Sequence, residues 1–106
     1  MHKRITFRSM ARSEAIEKYI QKRIEKITKF FKREPQPIFM DVVLEPHREK
    51  HFFKVEFKVN TSHYNFIVQT EGLDMYMMID NAISKMIKDI TRRKERLGHD
   101  LHLSYI

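Results

Sequence analysis

The chain contains no cysteine in its 106 residues, which excludes a disulfide framework, a thiolate zinc site and a thiol nucleophile and fits a reducing compartment. Only two glycines and three prolines interrupt it, too few for a linker-rich or disordered layout, and no internal repeat or low-complexity tract is present. No run of about 18 apolar residues occurs, and the N-terminal MHKRITFRSM lacks the apolar core of a signal peptide. The expectation is a soluble cytoplasmic domain that makes no membrane contact. Glycine-rich phosphate loops, a GxSxG elbow and a spaced carboxylate pair are also missing. An enzyme is therefore not expected, nor is a cofactor.

What the chain does have is positive charge: 21 Lys and Arg against 14 Asp and Glu, a net charge of +7 and a pI near 9.8. Such an excess favours a polyanionic partner through phosphate contacts and counterion release, with nucleic acid the first candidate. The length allows one domain with a single modest core.

Charge and core-forming residues meet in residues 71–94, EGLDMYMMIDNAISKMIKDITRRK. Met75, Ile79, Ala82, Ile83, Met86 and Ile90 recur at steps of three and four and predict a helix with one apolar face, widened by Tyr76 and Ile87. Asp74 stands as its N-cap and Gly98 as its C′ residue. Lys85, Lys88 and Arg92 fall away from that face, joined by Arg93, Lys94 and Arg96; from Lys85 to Arg96 six basic residues meet only two acids. A merely solvated face with pairs such as Asp89–Arg93 is the alternative reading.

Upstream, Ile5 and Phe7 alternate with Arg4, Thr6 and Arg8 as in a half-buried strand. Ser13 caps a helix reaching about Lys32, with Ile16, Ile20, Ile24, Ile27 and Phe31 buried and Tyr19 and Phe30 flanking. Its outer surface carries Lys18, Lys22, Lys26, Lys29 and Lys32, with Arg23 and Arg33 to the sides. Pro35 and Pro37 end it. Three further alternating runs predict strands, with Ile38, Met40, Val42 and Leu44, then Phe53, Val55, Phe57 and Val59, then Tyr64, Phe66, Val68 and Thr70 facing inward. The polar turn at residues 60–65 has no glycine, so an Asn is expected there in the left-handed conformation.

The predicted fold is α+β: a βαβββα order, with a four-stranded sheet carrying both helices on one face. Two basic helix ridges side by side would merge into one positive surface about one helix diameter, ~10 Å, apart. His47 and His51 form HxxxH, but across a turn and without a third ligand, so no metal site is expected. Met75, Met77 and Met78 are core formers or an apolar groove, and core packing is the commoner reading, with Met77 the most exposed. Phe39 and Phe52 point away from the buried sets of their strands, towards the open side of the sheet or a partner.

EGLDMYMMID followed by KMIKDITRRK, together with SEAIEKYIQKRIEKITKFF, resembles the ribosome hibernation promoting factor and ribosome-associated inhibitor A family in its short, single-domain form. The resemblance covers residues 1 to about 97, leaving 98–106 as a short tail. It implies a domain like a double-stranded-RNA-binding fold that occupies the small ribosomal subunit at the decoding region, where it competes with messenger RNA and transfer RNA. Translation would be silenced in stress or stationary phase by steric occlusion, and the free protein would be a monomer. The implied ribosomal RNA contacts are Lys22, Arg23, Lys26 and Lys29 on the first helix and Lys85, Lys88, Arg92, Arg93 and Lys94 on the second. Asp89 places an acid inside that basic face where the family commonly has Gln. The short tail leans towards promoting ribosome dimerisation. The competing reading is a generic double-stranded-RNA-binding module not directed at the decoding site.

Overall fold

A computed structural model of the protein describes residues 1–104, with side chains through Glu95. The elements follow the predicted order: β1 (His2–Phe7), α1 (Glu14–Thr28), a 3₁₀ turn (Lys29–Phe31), β2 (Phe39–Pro46), β3 (Phe53–Asn60), β4 (Asn65–Gly72) and α2 (Met75–Ser104). The strands lie in the order β1-β2-β3-β4. β1 runs parallel to β2, joined by the α1 crossover, and the other pairs are antiparallel.

Register explains why one face alone is apolar. Met40 pairs with Val59, Val42 with Phe57 and Leu44 with Val55, while Val59 pairs with Phe66 and Phe57 with Val68. Because side chains alternate with period two, all of these project to the same side. There they form one cluster with Ile20, Ile24, Ile27 and Phe31 of the first helical segment and with Met75, Ile79, Ala82, Ile83, Met86 and Ile90 of α2. Both helices therefore cover the same layer. Val43, on the other side of β2, is also buried, because its strand is interior to the sheet and Thr6 and Glu56 flank it in register.

Both predicted N-caps form. The Ser13 hydroxyl accepts from the Ile16 amide at 3.3 Å, and Asp74 Oδ1 accepts from the amides of Tyr76 and Met77 at 3.0 and 3.3 Å. Thr70 Oγ1 donates to the Met78 carbonyl at 2.8 Å, tying the end of β4 to the first turns of α2. Gly72 lets the Met78 side chain lie close against that junction; a Cβ there would sit 2.7 Å from its Sδ and Cε, and the thioether would have to move aside.

Three local expectations are corrected. Helix α2 continues through Gly98 to Ser104, so the glycine is an interior residue, tolerated at about 1 kcal/mol relative to alanine, and does not cap the helix. The first helix ceases to be α-helical at Thr28 and tightens into the 3₁₀ turn, where Thr28 Oγ1 donates back to the Glu25 carbonyl at 2.7 Å. No asparagine at residues 60–65 is left-handed. The hydroxyl of Thr61 accepts from the amides of His63 and Tyr64 at 3.1 and 2.8 Å, and its own amide donates to the Tyr64 carbonyl at 2.8 Å. A side-chain turn thereby replaces the need for positive φ. The residue with positive φ among those described is Ser9, at 58°, where the chain leaves β1.

Met86 is fully buried at the centre of the α2 stripe. Met86→Ala is expected to lower stability by ~2–5 kcal/mol in urea unfolding, whereas Lys22→Ala, on the exposed side of α1, stays within ~0.5 kcal/mol.

Candidate nucleic-acid interface

The basic residues predicted to act together divide into three groups. Lys22 and Lys26 are exposed on α1, Lys29 on the 3₁₀ turn that follows it, and Lys88 and Arg92 on α2. None of these five makes an ion pair among the described residues, where the pairs formed involve Arg4, Arg8, Arg12, Arg23, Lys58 and His63. Their charge is turned to solvent.

Lys85 and Arg93 are exposed but braced on β4. Lys85 Nζ donates to the Gln69 carbonyl at 3.4 Å, and the Arg93 guanidinium lies 5.2 Å from the centroid of the Phe66 ring. Two shallow hollows follow this line, one of about 280 Å³ bordered by Lys85, Lys88 and Glu71, the other of about 260 Å³ bordered by Arg92, Arg93 and Asn65. Much of the α2 charge thus runs along the groove between α2 and β4, on a side facing away from the seam with α1. Asp89 borders the second hollow, so the acid does lie within the basic face.

Arg23 and Lys94 also make contacts within the fold. Tyr19 donates its hydroxyl to Asp80, 2.8 Å from each carboxylate oxygen. Arg23 Nε lies 2.6 Å from Asp80 Oδ1 as an ion pair without an aligned hydrogen bond, and its guanidinium sits 4.1 Å from the Tyr19 ring centroid. The Tyr76 ring meets Tyr19 edge-on at 4.8 Å. These four residues close the upper part of the seam between the helices. Further down, Lys94 Nζ donates to the Phe30 carbonyl and lies 5.2 Å from the Phe31 ring centroid, a cation at the carbonyl end of a helix. Tyr19 and Asp80 are 61 residues apart, and no local pattern signals their pairing.

Burial first, and the bond to Asp80 second, push the Tyr19 phenol above its ordinary pKa. The Tyr19 contact, then the Asp80 charge, raise the Arg23 guanidinium, with burial opposing them. Tyr64 is raised as well, by burial and by the charge of Glu34.

The HxxxH histidines are both exposed in the β2–β3 connection, with His47 Nδ1 accepting the Glu49 amide at 3.2 Å. No group of three potential metal ligands assembles among the described residues. Nor is any helix among them long and apolar enough to cross a membrane.

Residues 4–98 match the family described as sigma 54 modulation protein / S30EA ribosomal protein. The chain belongs to that family. Among curated relatives of this S30EA chain, the ribosome hibernation promoting factor of Salmonella typhimurium is 29% identical over 97 residues, covering 92% of this chain and 97% of the relative. The factor of the same name from Escherichia coli K12 is 28% identical over the same shares. Two solved structures share the S30EA fold seen here. The N-terminal domain of Thermus thermophilus Protein Y superposes with a TM-score of 0.69 at 20% identity, over 87% of this chain and 98% of that one. A ribosomal subunit interface protein from Coxiella burnetii gives 0.73 at 19% identity, over 90% and 99%.

The seam yields a pH prediction. Below about pH 10 the Tyr19 phenol is protonated in folded and unfolded chains alike, so its bond contributes fully. Above that value the unfolded chain ionises first, and stability falls as pH rises through the raised folded pKa. Tyr19→Phe is expected to cost ~1.5–3 kcal/mol at neutral pH, as for a hydrogen bond to a charged group. It should also flatten the alkaline decline in urea midpoint between about pH 9 and 11.5. A mutant with the wild-type alkaline slope would show that the phenol is not held in this way.

Proposed function

We propose that this protein is a cytoplasmic ribosome hibernation factor: it binds the small ribosomal subunit through ribosomal RNA at the decoding region and blocks the path of messenger RNA and transfer RNA. Family membership supports the ribosome as partner. The observation that carries the mode of binding is the set of exposed cations without ion-pair partners among the described residues, Lys22 and Lys26 on α1, Lys29 on the 3₁₀ turn and Lys88 and Arg92 on α2. Lys85 and Arg93 extend that set along β4. Phosphates spaced along folded RNA are the natural counter-charges for such rows.

In this reading Lys22, Arg23, Lys26, Lys29, Lys85, Lys88, Arg92, Arg93 and Lys94 contact the RNA backbone. Arg23 and Lys94 also hold the two helices at the spacing that presents the others. Residues 1–97 form the binding domain and 98–106 the tail, of which the part through Ser104 extends α2. Inhibition is by occupancy, with no bond made or broken, in stress or stationary phase. The free protein acts as a monomer, and the tail favours ribosome dimerisation.

Lys88→Glu/Arg92→Glu tests the assignment. Both residues are exposed, so the double variant should remain folded yet fail to sediment with ribosomes through a sucrose gradient, while wild type travels with the small subunit. Co-sedimentation of the folded variant at the wild-type level would sink the proposed face. Duplex RNA bound as tightly as ribosomes would point instead to a generic double-stranded-RNA-binding module. Because several phosphates are neutralised together, ribosome affinity should drop by ~10³-fold or more between ~50 and ~200 mM salt; a flat salt profile would contradict a phosphate-dominated interface.

A further inference from the structure

Three charged residues of α2, Lys85, Asp89 and Arg93, follow one another at i,i+4 spacing on the side of the helix that meets β4. That spacing would let either cation pair with the carboxylate, yet neither does. Lys85 Nζ donates to the Gln69 carbonyl at 3.4 Å, and the Arg93 guanidinium is drawn over the Phe66 ring, 5.2 Å from its centroid. Both cations are held by β4. Arg92, three positions beyond Asp89, is exposed, and Asp89 makes no ion pair among the described residues.

This carboxylate is half-buried and borders the hollow of about 260 Å³ between α2 and β4, together with Arg92 and Arg93. An ionised carboxylate has acceptors only, so a phosphate set against it is repelled. Two guanidiniums beside it nevertheless draw phosphates to the same stretch. Both demands are met when the strand turns a hydrogen-bond donor towards Asp89 while its phosphates lie at the arginines. RNA offers two kinds of donor, the ribose 2′-hydroxyl and the N–H groups of the bases. The hollow is below the ~300 Å³ at which small-ligand sites begin, and Phe66, the aromatic in its wall, is 2% exposed and lies under Arg93. A base therefore has neither room nor a stacking platform there, whereas a ribose edge needs neither. The wide, shallow minor groove of A-form RNA displays its 2′-hydroxyls beside the phosphates.

We propose that Asp89 accepts a hydrogen bond from a ribose 2′-hydroxyl while Arg92 and Arg93 hold neighbouring phosphates. Asp89 is then a specificity residue, which makes the groove between α2 and β4 favour RNA over a backbone that lacks this donor. The inference deepens the reading of the helix face as a ribosomal RNA-binding surface and rests on it.

Small-subunit binding of wild type, Asp89→Ala and Asp89→Asn, measured by sedimentation at one salt concentration, is the first test. Asp89→Ala should weaken binding about 10-fold, as for the loss of a hydrogen bond to a charged group. Asp89→Asn keeps a carbonyl acceptor and should recover most of that loss. The second test is fluorescence anisotropy at ~50 mM salt with a short RNA duplex and the same duplex carrying 2′-fluoro riboses, which stays A-form but has no donor at that position. Wild type should favour the hydroxyl duplex by about 10-fold, and Asp89→Ala should lose most of that preference. Tighter ribosome binding by both variants would reveal an acid that merely repels phosphate. An equal 2′-fluoro penalty in wild type and Asp89→Ala would put the donor on a base edge or away from Asp89. Either result overturns the proposal, as does a wild type that sediments with ribosomes but binds neither duplex. A wild type that does not sediment with ribosomes would remove the helix-face reading itself, and this inference with it.

Discussion

Two amphipathic helices can share one face of a four-stranded sheet only if the seam between them is closed as firmly as each helix is seated. Here the seam is polar. Tyr19, Asp80 and Arg23 join α1 to α2 at one point, and Lys94 joins α2 to the Phe30 carbonyl at another. A wholly apolar seam could bury as much surface, but it would let the helices slide by a fraction of a turn at little cost. The carboxylate held by both a phenol and a guanidinium has one good arrangement, and that fixes the rotation of each helix about its axis. The direction in which every outer lysine points follows from it.

The same constraint shapes the electrostatics. Asp80 neutralises the cation nearest the neighbouring helix, so the remaining outward charge belongs to residues that are not required to hold the fold together. Stability and charge display are therefore assigned to different side chains on the same two helices. Exposed like charges at i,i+4, such as Lys18, Lys22 and Lys26, cost only a few tenths of a kcal/mol per pair. Burial of the Ile20, Ile24 and Ile27 stripe beneath them offsets that several times over, at ~1.5–3 kcal/mol for each large aliphatic side chain.

Strand and helix periodicity carried most of the fold. The alternation of Met40, Val42 and Leu44, and the three-four spacing of Ile79, Ala82, Ile83 and Met86, are produced by the same one-sided burial that the structure displays. The same periodicity, read with the charges, located the basic helices, and the family motifs coincided with them. What sequence could not reveal depends on distant partners: the engagement of Arg23 and Lys94, the bias of the α2 charge towards β4, and the pairing of Tyr19 with Asp80 all need the tertiary arrangement. Gly98 and the turn at residues 60–65 misled for a different reason. Glycine and asparagine permit a left-handed residue without demanding one, and an extended helix or a threonine hydroxyl can satisfy the backbone instead.

The parallel pairing of β1 with β2 sets an order of assembly. β2, β3, β4 and α2 follow one another along the chain and pair through neighbours, so their contacts close short loops. β1 reaches β2 only after α1 has been laid across, with His2 opposite Phe39, and loop-closure entropy makes that the slower contact to form. It is also an edge strand, zipped on one side, with its first three residues exposed. In amide exchange β1 would be the first strand to open, while the three-stranded meander beneath α2 would hold until global unfolding.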